Sequence, residues 1–134
     1  MGQRAVLYVE DDDASFLLVQ LTIQDAGLPI ELYRASDGEK ALAFLQKTEP
    51  HYQQVPRPDL ILLDLNTPKK NGFEVLREIK ASVSLRSIPI IVFSSSTLAA
   101  DKKTSLALGA DDFVTKPSSL DLFIEAIKST LQRT

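Results

Sequence analysis

The run Leu60-Ile61-Leu62-Leu63, closed by Asp64, constrains the fold more than any other feature of the chain. Four consecutive apolar residues offer no polar face to water. They therefore belong to a strand covered on both sides, as in a parallel sheet sandwiched between helices. A carboxylate at the end of such a strand has two readings. Asp64 could open a turn, since Asn66, Pro68, Asn71 and Gly72 follow it and Asp suits turns well. It could equally be placed by a rigid strand for chemistry, and the two readings separate only when the rest of the chain is considered.

Apolar runs alternate with helical patterns from one end of the chain to the other, the signature of repeated βα units around a parallel sheet, and five units can be counted. The first strand covers Ala5 to Val9, followed by a helix with Leu17, Leu18 and Leu21 on one face that ends at Gly27. Ile30 to Ala35 mixes Glu31 and Arg34 with apolar residues, as an edge strand can. Ser36, Asp37 and Gly38 open a helix carrying Ala41, Leu42 and Leu45. The stretch TEPHYQQVPRP, with three prolines and no periodicity, predicts a surface loop in which His51 is a solvated side chain.

The third strand, Leu60 to Leu63, leads into a helix from Phe73 to Ala81. The fourth strand spans Ile88 to Phe93, with Pro89 near its start, where a missing donor is tolerated. A helix over Leu98 to Leu108 stops at Gly109, and the fifth strand is Asp112 to Thr115. Leu120, Phe123, Ile124, Ile127 and Leu131 then recur at the spacing of a final helix packed on the core. At 134 residues the pattern predicts one domain over 1–134, with no linker and no output domain.

Composition narrows the chemistry. Without cysteine and with a single histidine, thiolate catalysis and His-rich zinc sites are excluded, leaving only an oxygen-ligand metal. A net charge of -3 provides no basic stripe for direct nucleic-acid binding. No apolar run reaches membrane-spanning length, and the start MGQRAVLYVEDDD lacks the form of a signal peptide, so a cytoplasmic location is expected.

Right-handed crossovers bring all strand C-terminal ends of a parallel sheet to one edge, where ligands bind at the switch in strand order. That edge collects Glu10, Asp11, Asp12 and Asp13 after the first strand, Asp64 and Asn66 after the third, Ser94, Ser95 and Ser96 after the fourth, and Lys116 and Pro117 after the fifth. Each group has an ordinary explanation alone. Acids before a helix serve as caps, a task that suits Asp12 or Asp13, serines make turns, and a lysine before proline is a surface charge. Together, four separate loops supply what phosphorylation of a carboxylate requires. Carboxylates with a carbonyl oxygen suit an octahedral Mg²⁺, while a hydroxyl and an ammonium can hold phosphoryl oxygens.

VEDD at Val9 to Asp12, LLDLNTPKKNG at Leu62 to Gly72, the serines after IPIIVF, and TKP at Thr115 to Pro117 together resemble the receiver domain of two-component response regulators. The resemblance covers nearly the whole chain and implies a flavodoxin-like doubly wound (βα)5 sandwich, with a five-stranded parallel sheet in the order 2-1-3-4-5. It makes Asp64 the acceptor of a phosphoryl group from a histidine kinase. Asp11, Asp64 and the backbone carbonyl of Asn66 become Mg²⁺ ligands, with Glu10 acting mostly through water. Ser94 takes the place of the switch hydroxyl, Lys116 that of the phosphoryl-contacting lysine, and Phe113 that of the aromatic switch. Its ring is expected to turn from exposed to buried on phosphorylation, with the inward position already populated beforehand because serine has less bulk than threonine.

The sequence departs from the family pattern at three places. Glu10 stands for the commoner Asp, Ser94 for the commoner Thr, and Ser118 for an aromatic. The long loop before the third strand, with RPDLILLDLN and PKK, is similar to single-domain regulators paired with cyanobacterial phytochrome kinases. The resemblance implies a signalling protein rather than an enzyme proper, capable only of self-phosphorylation and slow autodephosphorylation. Its message passes through a partner protein, and phosphorylation favours a homodimer through the fourth helix, fifth strand and last helix. The rival is a Mg²⁺-dependent phosphohydrolase of the haloacid-dehalogenase type, which wants a second acid two residues after the nucleophile, where this chain has Asn66. A flavodoxin-like cofactor binder needs a phosphate loop after the first strand, where EDDD would repel a phosphate.

Overall fold

The computed structural model describes residues 3–132, apart from the side chain of His51. Its elements are β1 (Arg4–Val9), α1 (Asp13–Asp25), β2 (Ile30–Ala35), α2 (Gly38–Gln46), a 3₁₀ turn (Pro50–Tyr52), β3 (Leu60–Leu63), α3 (Gly72–Ala81), β4 (Ile90–Ser94), α4 (Ala99–Ala107), β5 (Asp112–Thr115) and α5 (Leu120–Gln132). The five strands are all parallel and lie in the order β2-β1-β3-β4-β5.

The apolar run of β3 is divided between two half-cores, as period-2 geometry requires. Ile61 and Leu63 join Leu7, Val9, Ile90 and Val92 under α2 and α3. Leu60 and Leu62 join Val6, Tyr8, Ile91 and Phe93 under α1 and α5. Side-chain caps fix where several helices begin. Asp12 accepts from the Ser15 amide at 3.0 Å ahead of α1, Asp37 accepts from the Lys40 amide at 2.8 Å ahead of α2, and Asn71 and Glu74 close a capping box on α3.

Several details differ from the sequence reading, each for a packing reason. The core stripe of α1 is Val19, Thr22 and Ile23, while Leu17 and Leu21 are about half exposed, at 50% and 48%. Thr22 tolerates burial because its hydroxyl donates to the Leu18 carbonyl at 2.7 Å. Strand β4 begins at Ile90 rather than Ile88, because the Pro89 carbonyl already accepts from Ile61 while its nitrogen has no hydrogen to donate. Leu98 caps α4 from outside the helix and is exposed, as is Leu120 at the start of α5. The stretch before β3 is not wholly irregular, since the 3₁₀ turn sets the Tyr52 ring against Phe44 with centroids 5.4 Å apart. Among the described residues, no helix is long and apolar enough to cross a membrane.

Candidate functional site

The carboxyl ends of β1, β3, β4 and β5 meet on one edge, and the backbone there is fixed before any side chain acts. The Asp64 amide donates to the Val9 carbonyl at 3.1 Å and the Lys116 amide to the Ser94 carbonyl at 2.7 Å, so pairing runs one residue beyond each strand. Two glycines permit the close approaches that hold the loop after β3. A Cβ on Gly72 would stand 2.6 Å from the Leu65 Cα and 2.7 Å from the Asp64 carbonyl oxygen. On Gly38 it would stand 2.1 Å from the Lys70 carbonyl oxygen, so the start of α2 and the β3–α3 loop can touch only with glycine there.

Within this frame Asp64 is buried, and its two oxygens have separate partners. Oδ1 accepts from the Asn66 amide at 3.0 Å and Oδ2 from the Lys116 ammonium at 3.0 Å. An Asx-type bond to the amide two residues on is what a turn-opening Asp makes, so Asp64 does open the turn that Asn66 continues. The same ammonium is ion-paired with Glu10 Oε1. Glu10 is 1% exposed. Its Oε1 also accepts from the Tyr8 hydroxyl at 2.9 Å, and its Oε2 from the Asp12 amide at 3.3 Å. Burial pushes the Glu10 carboxyl above its ordinary value, against the opposing pull of Lys116 and reinforced by the charge on Asp64. Burial likewise raises the Tyr8 hydroxyl, with the charge of Glu10 acting in the same direction.

The remaining predicted residues are distributed unevenly. Ser94 is fully buried at the end of β4, where its hydroxyl accepts from the Ser96 amide at 3.3 Å. Asp11 and Asn66 are exposed on the same edge. Phe113 pairs with Val92 in the ladder and is buried in the half-core under α2 and α3, only 8% exposed. The ring thus stands in the inward position.

Among the described residues no three acidic side chains converge tightly enough to hold a metal ion by themselves. The donors the edge offers are all hard oxygens, from Asp11, Asp64 and the Asn66 carbonyl, a chemistry that fits Mg²⁺ and not a softer ion.

Sequence reasoning missed two residues here. Tyr8 was visible only as part of a strand, although the i, i+2 spacing puts it on the same side as Glu10. Arg34 was read as an edge-strand charge. In fact its Nε donates to the Glu10 carbonyl at 3.0 Å, its Nη1 pairs with Asp13 at 2.8 Å, and its guanidinium lies 5.0 Å from the Phe16 ring centroid, bracing the acidic loop from β2.

The model of the response regulator receiver domain family matches residues 6–128. The chain belongs to this family. It is 42% identical over 129 residues to the response regulator Rcp1 of Synechocystis sp., covering 94% of this chain and 87% of that protein. Among solved structures, the phosphorylated cyanobacterial phytochrome response regulator RcpA superposes with a TM-score of 0.90 at 37% identity, covering 96% of this chain and 91% of the other. The Mn²⁺-bound form of Rcp1 gives 0.89 at 37% identity, with 98% and 96% covered. This receiver domain is thus of the two-component type and similar to the phytochrome-associated regulators of cyanobacteria. The haloacid-dehalogenase alternative finds no support in these similarities.

Proposed function

We propose that this receiver domain accepts a phosphoryl group from a histidine kinase onto Asp64 and signals in the cytoplasm through a partner protein. The single observation that carries the reading is one ammonium, that of Lys116, bound at once to Glu10 and to Asp64 Oδ2 at the end of a doubly buried strand. A lysine so placed holds the acceptor carboxylate in a fixed rotamer and is in reach of the oxygens a phosphoryl group would bring. Asp11, Asp64 and the Asn66 carbonyl are the groups to hold Mg²⁺, with Glu10 behind them through water. When bound, the ion supplies charge neutralisation to the incoming phosphoryl oxygens. Ser94, two strands from Lys116's partner Glu10 and tied to Lys116 through its own carbonyl, is the hydroxyl to turn toward the modified Asp64, and Phe113 is the ring to fill the space behind it. Similarity to Rcp1 and RcpA supports a phytochrome kinase as the donor.

Mass spectrometry after incubation with Mg²⁺ and acetyl phosphate tests the assignment. The wild type should gain one phosphoryl group and Asp64→Asn none. Equal labelling of both proteins would place the acceptor elsewhere.

A further inference from the structure

The first acidic position and the strand residue two before it form a pair whose purpose the phosphoacceptor reading leaves unstated. Tyr8 is fully buried, and a buried tyrosine needs a partner for its hydroxyl. Here the partner is a carboxylate, and the same Glu10 oxygen that accepts from Tyr8 also binds Lys116. The other Glu10 oxygen accepts from the Asp12 amide, so the carboxylate is fixed at both ends. Beneath the ammonium lie two aromatic rings, with Nζ 5.9 Å from the Tyr8 centroid and 5.7 Å from that of Phe93, within the range where a cation is attracted to a ring face. Lys116 is therefore confined by a hydroxyl-fixed carboxylate and an aromatic floor, and its remaining donor capacity is directed at Asp64.

We infer that Tyr8 and Glu10 form a matched cradle holding Lys116 against Asp64, with Tyr8 as the positioning residue. This inference rests on the reading of Asp64 as phosphoacceptor. It also accounts for glutamate at position 10. An aspartate would be shorter by about 1.5 Å, one carbon–carbon bond, and its oxygen could not stay within hydrogen-bond distance of the Tyr8 hydroxyl. Arg34 secures the cradle from the other side by holding the Glu10 carbonyl, which keeps the side chain's point of origin fixed.

Tyr8→Phe keeps the ring, and with it the packing and the aromatic floor, and removes only the hydroxyl. Two measurements follow. In the metal-free protein, carbon-13 NMR of the Lys116 side chain, assigned with Lys116→Arg, should show two separate Hε signals in the wild type. These should merge in Tyr8→Phe. At saturating Mg²⁺, Tyr8→Phe should slow phosphorylation by acetyl phosphate about three- to ten-fold, the worth of one hydrogen bond, while in a Glu10→Ala background, which removes the accepting oxygen, the same change should leave the rate where Glu10→Ala alone put it. An equal loss in both backgrounds, or unmerged Hε signals, would reduce Tyr8 to core packing and overturn the cradle. If the wild type took no phosphoryl group at all, the phosphoacceptor reading would fall, and the metal-free spectra would still decide whether the cradle exists.

Discussion

The two edges of the sheet use the same side chain for opposite ends. At the amino edge, Asp59 Oδ2 accepts from the Ala5 amide at 2.8 Å and Asp111 Oδ2 from the Ile90 amide at 2.8 Å. Each of these exposed acids satisfies one backbone donor where a strand begins, so charge and donor are matched one to one. At the carboxyl edge, two buried acids share a single ammonium, and a third, Asp11, stands beside them in solvent. The difference shows that an acid's residue type says little about its role. The number of acids per donor and the depth of burial decide whether a carboxylate stabilises the fold or is held at a cost for chemistry.

The widest gap between the edges should appear when the shared cation is removed. Lys116→Met would leave Glu10 and Asp64 buried without a counter-charge, a change that typically costs about 3–5 kcal/mol when one partner of a buried pair is deleted. Urea denaturation of the metal-free protein at pH 7 should show a loss of that order. A loss under about 1 kcal/mol, the scale of an exposed pair, would mean the carboxyl edge is solvated like the amino edge, and the contrast would fail.

The scaffold of this contrast was legible in the sequence because it depends on periodicity. The LILL run, the alternation of βα units and the glycines after helices locate the strands to within two residues, and the right-handed crossover puts Glu10, Asp64, Ser94 and Lys116 on one edge. What could not be read was which faces and partners the side chains would choose. Leu17 and Leu21 look like a core stripe, yet Val19 and Ile23 win because the helix is rotated by its packing against β1 and α5, where the buried Thr22 can satisfy its own hydroxyl. Arg34 acts across strands, from β2 to the loop after β1, and a linear pattern carries no register. Tyr8 lies at i, i+2 from Glu10, but the pattern does not say that a core ring will direct its hydroxyl to that carboxylate. Phe113 shows the same limit: its place on β5 could be read from the sequence, but its burial in the half-core under α2 and α3 depends on packing that a linear pattern does not carry.

At the amino edge the expected effects are smaller and separate. Asp111→Ala removes one hydrogen bond to the Ile90 amide, and Asp59→Ala one to the Ala5 amide. Each should lower stability by about 1 kcal/mol, the net worth of a typical hydrogen bond. Because the two serve different strands, the double variant should lose the sum, with no coupling. Phosphorylation of Asp64 should be unaffected in both. Strong coupling between the two in urea titrations would show that the amino edge, too, is a cooperative cluster, and the comparison would need redrawing.

The finest test follows stability against pH in the presence of a chelator. Burial holds Glu10 above its ordinary value of 4.5, so between that value and its raised one the folded protein binds more protons than the unfolded chain. Stability from this group is therefore fully present below 4.5 and is lost as pH rises through the raised value. Asp12 acts in the opposite sense. Its bonds from the Ser15 hydroxyl and amide hold it below the ordinary 3.8, so its contribution is present above that pH and disappears as pH falls through the lowered value. On acidification from neutral pH the melting temperature should first rise, as Glu10 takes up its proton, and then fall, as the α1 cap is lost. Glu10→Gln should flatten the upper limb and leave the lower one unchanged. If the upper limb persisted in Glu10→Gln, the cost at the carboxyl edge would not arise from Glu10. The cradle around Lys116 would then be a neutral fitting and not the compensated strain that sets this edge apart from the other.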